Sequence, residues 1–202
     1  MPLVRGDKGS STRGATPPTS AVLDSPDAES RWAAARALAG QPEAVPELAA
    51  ALRRETVPRV REAILTSLMR TGDSASVKAI VPCLRSEDAG HRAAAIEALQ
   101  ALPSAITPIM AQLFSDQESD VRLLATELAR NLKASDATRL LCDLIAHEPH
   151  PNVCAAAIEV LAEVGTPQAI PALEKCSARF AATPFLPFAI SVAIARISGA
   201  EG

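Results

Sequence analysis

The chain has 202 residues, 48% of them hydrophobic, 21% charged and only 2% aromatic, with no tyrosine. This is enough for one domain with a sizeable core, and the apolar content excludes a wholly disordered chain. The formal net charge of −3 and a pI near 5.7 leave no electrostatic footprint for nucleic acid. No apolar run reaches the ~18 residues that a membrane span needs.

In chain order, Met1 to Ser20 carries Gly, Ser, Thr, Pro and scattered charge, with too little apolar surface to offset the entropy of ordering. The expectation is a disordered tail over 1–20 and one folded unit over 21–202. The tail lacks an apolar signal-peptide core, which predicts a cytoplasmic protein. The Arg5-Gly6-Asp7 tripeptide is a chance match.

From Ala21 onward the chain repeats itself. Arg31, Arg61, Arg92 and Arg122 recur at steps of 30, 31 and 30, and Cys154 follows in the same frame after 32. Three residues beyond each anchor stands Ala34, Ile64, Ala95, Ala125 or Ala157. Seven beyond stands Leu38, Leu68, Leu99, Ala129 or Leu161. Spacings of three and seven share a helical face. First helices are expected near 57–70, 88–101, 118–131 and 150–163.

A turn with Gly, Pro, Ser, Thr or Asp follows each first helix: Gly40-Gln41-Pro42, Thr71-Gly72-Asp73, Leu102-Pro103-Ser104, Ala134-Ser135-Asp136, Gly165-Thr166-Pro167. Second helices follow, with Val45, Leu48 and Leu52 as the first apolar set. A last helix is expected from about Pro184 to Ser198. Eleven helices in antiparallel pairs and no strand follow from this pattern. One helix pair cannot bury its own apolar face, but five stacked pairs can, so the predicted fold class is all-α, an α-solenoid.

The anchors resemble those of HEAT repeats, in the short form found in phycobilin lyases. The matching residues are Asp120-Val121-Arg122, Ala169-Ile170-Pro171-Ala172-Leu173, Val45-Pro46-Glu47-Leu48 and Ile80-Val81-Pro82-Cys83-Leu84. The resemblance spans most of residues 21–180 and implies a fold rather than an activity.

Acidic residues precede the anchors: Asp27, Asp88 and Glu118 by four positions, Glu55 and Asp116 by six. They predict an arginine–acid ladder that sets the register between repeats, broken in repeat five, which packing alone then holds. Cys83, Cys142, Cys154 and Cys176 form no zinc spacing and read as small buried hydrophobes. His147, Glu148 and His150 cluster in a proline-bounded loop without a further ligand. No metal and no cofactor are expected.

Enzymes on similar scaffolds fit poorly. With only three histidines in the chain, a di-iron site like that of deoxyhypusine hydroxylase lacks ligands. A glycosylase-like DNA face lacks lysines and aromatics, Trp32 being the only tryptophan. The resemblance leaves one alternative, a bilin-lyase-like subunit or chaperone holding a tetrapyrrole and its acceptor protein.

The expected function is a non-catalytic scaffold that binds another protein, without nucleic acid or membrane as partner. One candidate surface is the concave second-helix face, with Arg53, Arg54, Lys78, Arg85, Gln112, Arg139, Asp143 and Lys175. The other is the last helix. Leu186, Ile190, Ile194 and Ile197 line its inner face, and Phe185, Phe188 and Val192 form a second apolar face suited to a homodimer or a partner. Glu97, Glu127 and Glu159 are expected to form an exposed acidic stripe.

Overall fold

A computed structural model describes residues 20–183 and 185–199. The tail expected over 1–20 lies almost wholly outside them. Among the described residues there is no strand. The first helices of the repeats are α1 (Ala28–Ala37), α3 (Pro58–Thr71), α5 (Ala89–Gln100), α7 (Ser119–Ala129) and α9 (Pro151–Val164). The second helices are α2 (Val45–Arg54), α4 (Ser74–Ile80), α6 (Pro103–Phe114), α8 (Ala134–His147) and α10 (Ile170–Arg179). The last, α11 (Phe185–Gly199), has no described partner helix after it. Short 3-10 turns lie at Ser20–Asp24, lead into α2 and α10 at Pro42–Ala44 and Pro167–Ala169, and extend α4 at Val81–Arg85.

The local signals explain the boundaries. First helices start one residue later than the periodicity suggests, because Val57, Asp88, Glu118 and His150 are extended cap residues. Asp27 accepts from the Ser30 amide at 2.8 Å, Asp73 from that of Ser76 at 2.7 Å, and Asp88 from Gly90 and His91. Pro58, Pro103 and Pro151 stand in first turns, where a missing N–H costs nothing. Gly72 closes α3 with φ +67°, its amide on the Leu68 carbonyl at 2.9 Å.

The helices form two layers. In one, α1, α3, α5, α7, α9 and α11 contact each other in succession; in the other, α2, α4, α6, α8 and α10 do so. The anchor-plus-three and anchor-plus-seven residues are all buried between the layers, together with Leu48, Ile80, Met110, Leu141 and Leu173. Alanine at many of these positions lets helices approach closely. Where α1 meets α3, the buried Ser67 hydroxyl donates to the Ala35 carbonyl at 2.8 Å.

Candidate interaction surfaces

The anchor arginines close the turns between repeats. Each donates to the carbonyl six residues before it: Arg31 to Ser25, Arg61 to Glu55, Arg92 to Ser86 and Arg122 to Asp116, at 2.6–2.9 Å. Those carbonyls stand at or just past the end of a preceding helical segment, where intrahelical partners run out. In three of the four the remaining guanidinium nitrogens reach an acid in the next turn, whereas Arg92 bonds only the Ser86 and Glu87 carbonyls. Arg31 makes a two-pronged pair with Glu55 at 2.7 and 3.0 Å, and Arg122 one with Glu148 at 2.6 and 2.9 Å. Arg61 pairs with Asp88 at 2.8 Å. Hydrogen bonds from Arg31 and from the Val57 and Thr56 amides hold the Glu55 carboxyl down at about 2, against the opposing effect of burial.

Repeat five corrects the expectation that packing alone holds it. Arg179, from the end of α10, reaches into the turn where Cys154 has no guanidinium. It donates to the carbonyls of Ile145, Ala146 and Glu148, the last at 3.0 Å, and lies 3.8 Å from Cys154 Sγ. Glu148 is the residue six before Cys154, so an arginine from a different helix fills the same slot.

On the second-helix layer, Arg53, Arg54, Lys78, Arg85, Gln112, Arg139, Asp143 and Lys175 are all exposed. They divide by pairing. Arg54 binds Asp24, Arg85 binds Asp116 and Glu118, and Arg139 approaches Asp136 at 3.9 Å. Arg53, Lys78, Asp143 and Lys175 form no ion pair with a described residue. The acidic stripe is also less uniform than expected. Glu97 and Glu159 are exposed, but Glu127 is half-buried, and Arg130 gathers Glu127, Glu159 and Glu163. Trp32 is half-buried between the guanidiniums of Arg36 and Arg59, 4.6 and 4.3 Å from its ring centre.

Helix α11 carries both expected faces. Leu186, Ile190 and Ile197 are buried with Ala193, and Ile194 is half-buried. Phe185, Phe188 and Val192 remain 48%, 72% and 38% exposed, so the Ala178–Thr183 connection does not cover them.

A groove of about 670 Å³ runs between Phe114, Arg122, Asp143, His147, Glu148 and His150. The loop cluster there does not converge on one point. Glu148 is spent on Arg122 and the His150 amide, and His147 Nδ1 faces the Asp143 carbonyl. Among the described residues no three His, Cys, Asp or Glu side chains are placed to hold a metal ion. Cys83, Cys154 and Cys176 are buried, and Cys142 partly so.

Sequence reasoning overlooked Arg179 and Arg130. The one available signal was the missing arginine at position 154, which left a turn in need of another donor.

Two layers of helices advancing by about 31 residues per pair define a repeat solenoid. The family model of HEAT repeats matches residues 16–100 and 106–179, and the chain belongs to that family. No curated protein matches it. Among solved structures it is similar to the complex of CpcE and CpcF of phycocyanin lyase from Nostoc sp. PCC7120, at 23% identity over 86% of this chain and 74% of that one, TM-score 0.46. It is also similar to an engineered protein, at 19% identity over 89% and 95%, TM-score 0.44. A designed armadillo repeat protein matches at 18% identity over 88% and 98%, TM-score 0.42.

Proposed function

We propose that the protein is a non-catalytic scaffold that holds another protein, with the outer face of α11 as docking surface and an amphipathic helix of that partner as occupant. The observation that carries this reading is the grouping of Phe185, Phe188 and Val192. They are the exposed large hydrophobics among the described residues, and all lie on one side of one helix. With Ala195 and Gly199, also exposed, they recur at alternating steps of three and four, the spacing at which one helix meets another. Arg196 is the only charged residue of α11 and borders the stripe, which favours a partner helix with an acidic flank.

Covering the three side chains removes roughly 300 Å² from water. A lasting interface takes about 800 Å² from each partner, so this face alone suits a transient contact rather than a permanent dimer or complex. The exposed Arg53, Lys78 and Lys175 stand on the other helix layer and form a separate candidate surface for an acidic partner. The bilin-holding alternative calls for a pocket rich in aromatics, whereas Phe114 is the one phenylalanine, tyrosine or tryptophan lining the 670 Å³ groove. A cytoplasmic location and a folded unit starting at residue 21 belong to the same proposal.

The test is Phe188→Glu with Val192→Asp. The double variant is expected to keep its circular dichroism and melting temperature, and to lose the cross-links that α11 of the wild type makes to another protein in native lysate. Unfolding of the variant would make these side chains core. A wild-type dimer that the variant turns into a monomer would make the occupant a second copy. An absorbance shift on adding a bilin would favour the alternative.

A further inference from the structure

Between α1 and α3 the Trp32 ring reaches across to the guanidinium of Arg59, 4.3 Å from its centre, with Arg36 of its own helix at 4.6 Å. This contact bridges the two helices. Counted from the anchors, the same three positions one repeat later, between α3 and α5, hold Glu62, Gly90 and Thr66. None carries a ring, and Gly90 has no side chain to meet one. A groove of about 330 Å³ stays open there, between Pro58, Glu62 and Leu65 of α3 and Gly90, His91 and Ala94 of α5. Pro58, Leu65 and Ala94 give it an apolar lining.

The charges around the groove are largely spent. Arg61 pairs with Asp88 at 2.8 Å and donates to the Glu55 carbonyl at 2.7 Å, while Asp88 also accepts from the Gly90 and His91 amides. Glu62 is exposed and forms no ion pair with a described residue. His91 takes the position that buried Val60, Val121 and Val153 hold in other repeats, and its Nε2 is buried without a partner. Burial first, then Arg61, keeps its ring neutral. One unspent negative charge therefore faces an apolar slot.

We propose that this groove binds a small aromatic amine, its ring taking the space that Trp32 bridges one repeat earlier and its ammonium facing Glu62. The volume stands at the lower end of small-molecule sites, roughly 300–1,000 Å³, and an apolar lining with few polar groups is their usual make-up. The free carboxylate selects the sign of the ligand's charge. An aromatic acid of the same size would bring a second negative charge beside Glu62, and a simple alkylamine would leave Leu65 and Ala94 uncovered.

The experiment titrates the folded full chain with tryptamine and follows backbone amides and histidine rings by NMR. Saturable shifts are expected at Glu62, Leu65, Gly90, His91 and Ala94. The titration midpoint of His91 falls on saturation, because the bound ring excludes water and the ammonium opposes a second cation. Indole-3-propionate, with a similar ring and the opposite charge, is expected to bind about fivefold more weakly, the scale of an exposed ion pair. Glu62→Gln, at an exposed position, keeps the fold and removes that preference. Glu62→Trp/Gly90→Arg repeats the Trp32–Arg59 bridge and closes the groove to both probes. A Cβ at position 90 has only Asp88 Oδ1 within 4 Å, at 3.3 Å. Should the double variant fail to fold, Glu62→Gln still decides. Absence of saturation, shifts centred on Trp32 or Phe188, equal binding of the two probes, or a preference that survives Glu62→Gln overturns the proposal.

Discussion

A buried guanidinium–carboxylate pair stabilises only while both halves are present. Glu148 is 3% exposed, and Arg122 is its one charged hydrogen-bond partner. Arg122→Met is expected to cost about 3–5 kcal/mol, because it leaves that charge stranded, and adding Glu148→Leu recovers much of the loss. Urea titrations of the two singles and the double read this directly, and strict additivity would contradict it. Glu55 predicts an acid limb. Its carboxyl sits near 4.5 when unfolded and at about 2 when folded, so its stabilisation is complete above pH 4.5 and drains away as pH falls toward 2. Glu55→Gln should remove that share of the slope from an acid melting series. His91 adds an earlier window. Burial first, then Arg61, lowers its pKa despite Asp88, so the fold prefers the neutral ring and loses stability as pH drops below 6.5. Gly165 is a steric test, since a Cβ there would stand 2.3 Å from the Leu161 carbonyl. Gly165→Ala should lower the melting temperature, and an unchanged melt would show that the α9–α10 turn is free to shift.

At the scale of elements, the helices were legible because apolar residues three and seven beyond the anchor demand one buried face, and Ile64 and Leu68 of α3 are both fully buried. The starts were misplaced by one residue where an extended cap continues the apolar or charged pattern, as at Val57 and Asp88. The acids of the ladder were legible because they stand at fixed distances from the arginines. Arg179 was not, because its contact depends on how antiparallel helices pack, and spacing within one helix carries no trace of that. Exposure of the second-helix cations could be read in advance, but not which of them are spent on Asp24, Asp116 or Glu118. The acidic stripe shows the same limit. Glu97→Lys should leave the melting temperature unchanged, while Arg130→Ala, which releases Glu127, Glu159 and Glu163 together, should lower it measurably.

Across the whole molecule, the ion pairs and the arginine–carbonyl bonds between repeats join residues within about one repeat of each other, from Arg31 with Glu55 to Arg130 with Glu163. Stability is then close to a sum of neighbouring terms rather than one indivisible quantity. Leu48→Ala, a cavity at a fully buried site, is expected to speed hydrogen exchange in α1 to α4 and leave α9 to α11 at wild-type rates. A uniform acceleration along the chain would show a single cooperative unit. The pairing of turns also bears on how such a chain grows over generations. A unit with an arginine of the Arg31, Arg61 or Arg122 kind needs an acid from the unit that follows, so a duplicated segment in the middle arrives with its requirement already met. The unit with Cys154 draws its guanidinium from its own second helix and asks nothing of a successor. The Arg92 unit, whose guanidinium bonds only the Ser86 and Glu87 carbonyls, makes no such demand either, so duplication is constrained only at the units whose arginine reaches a following acid.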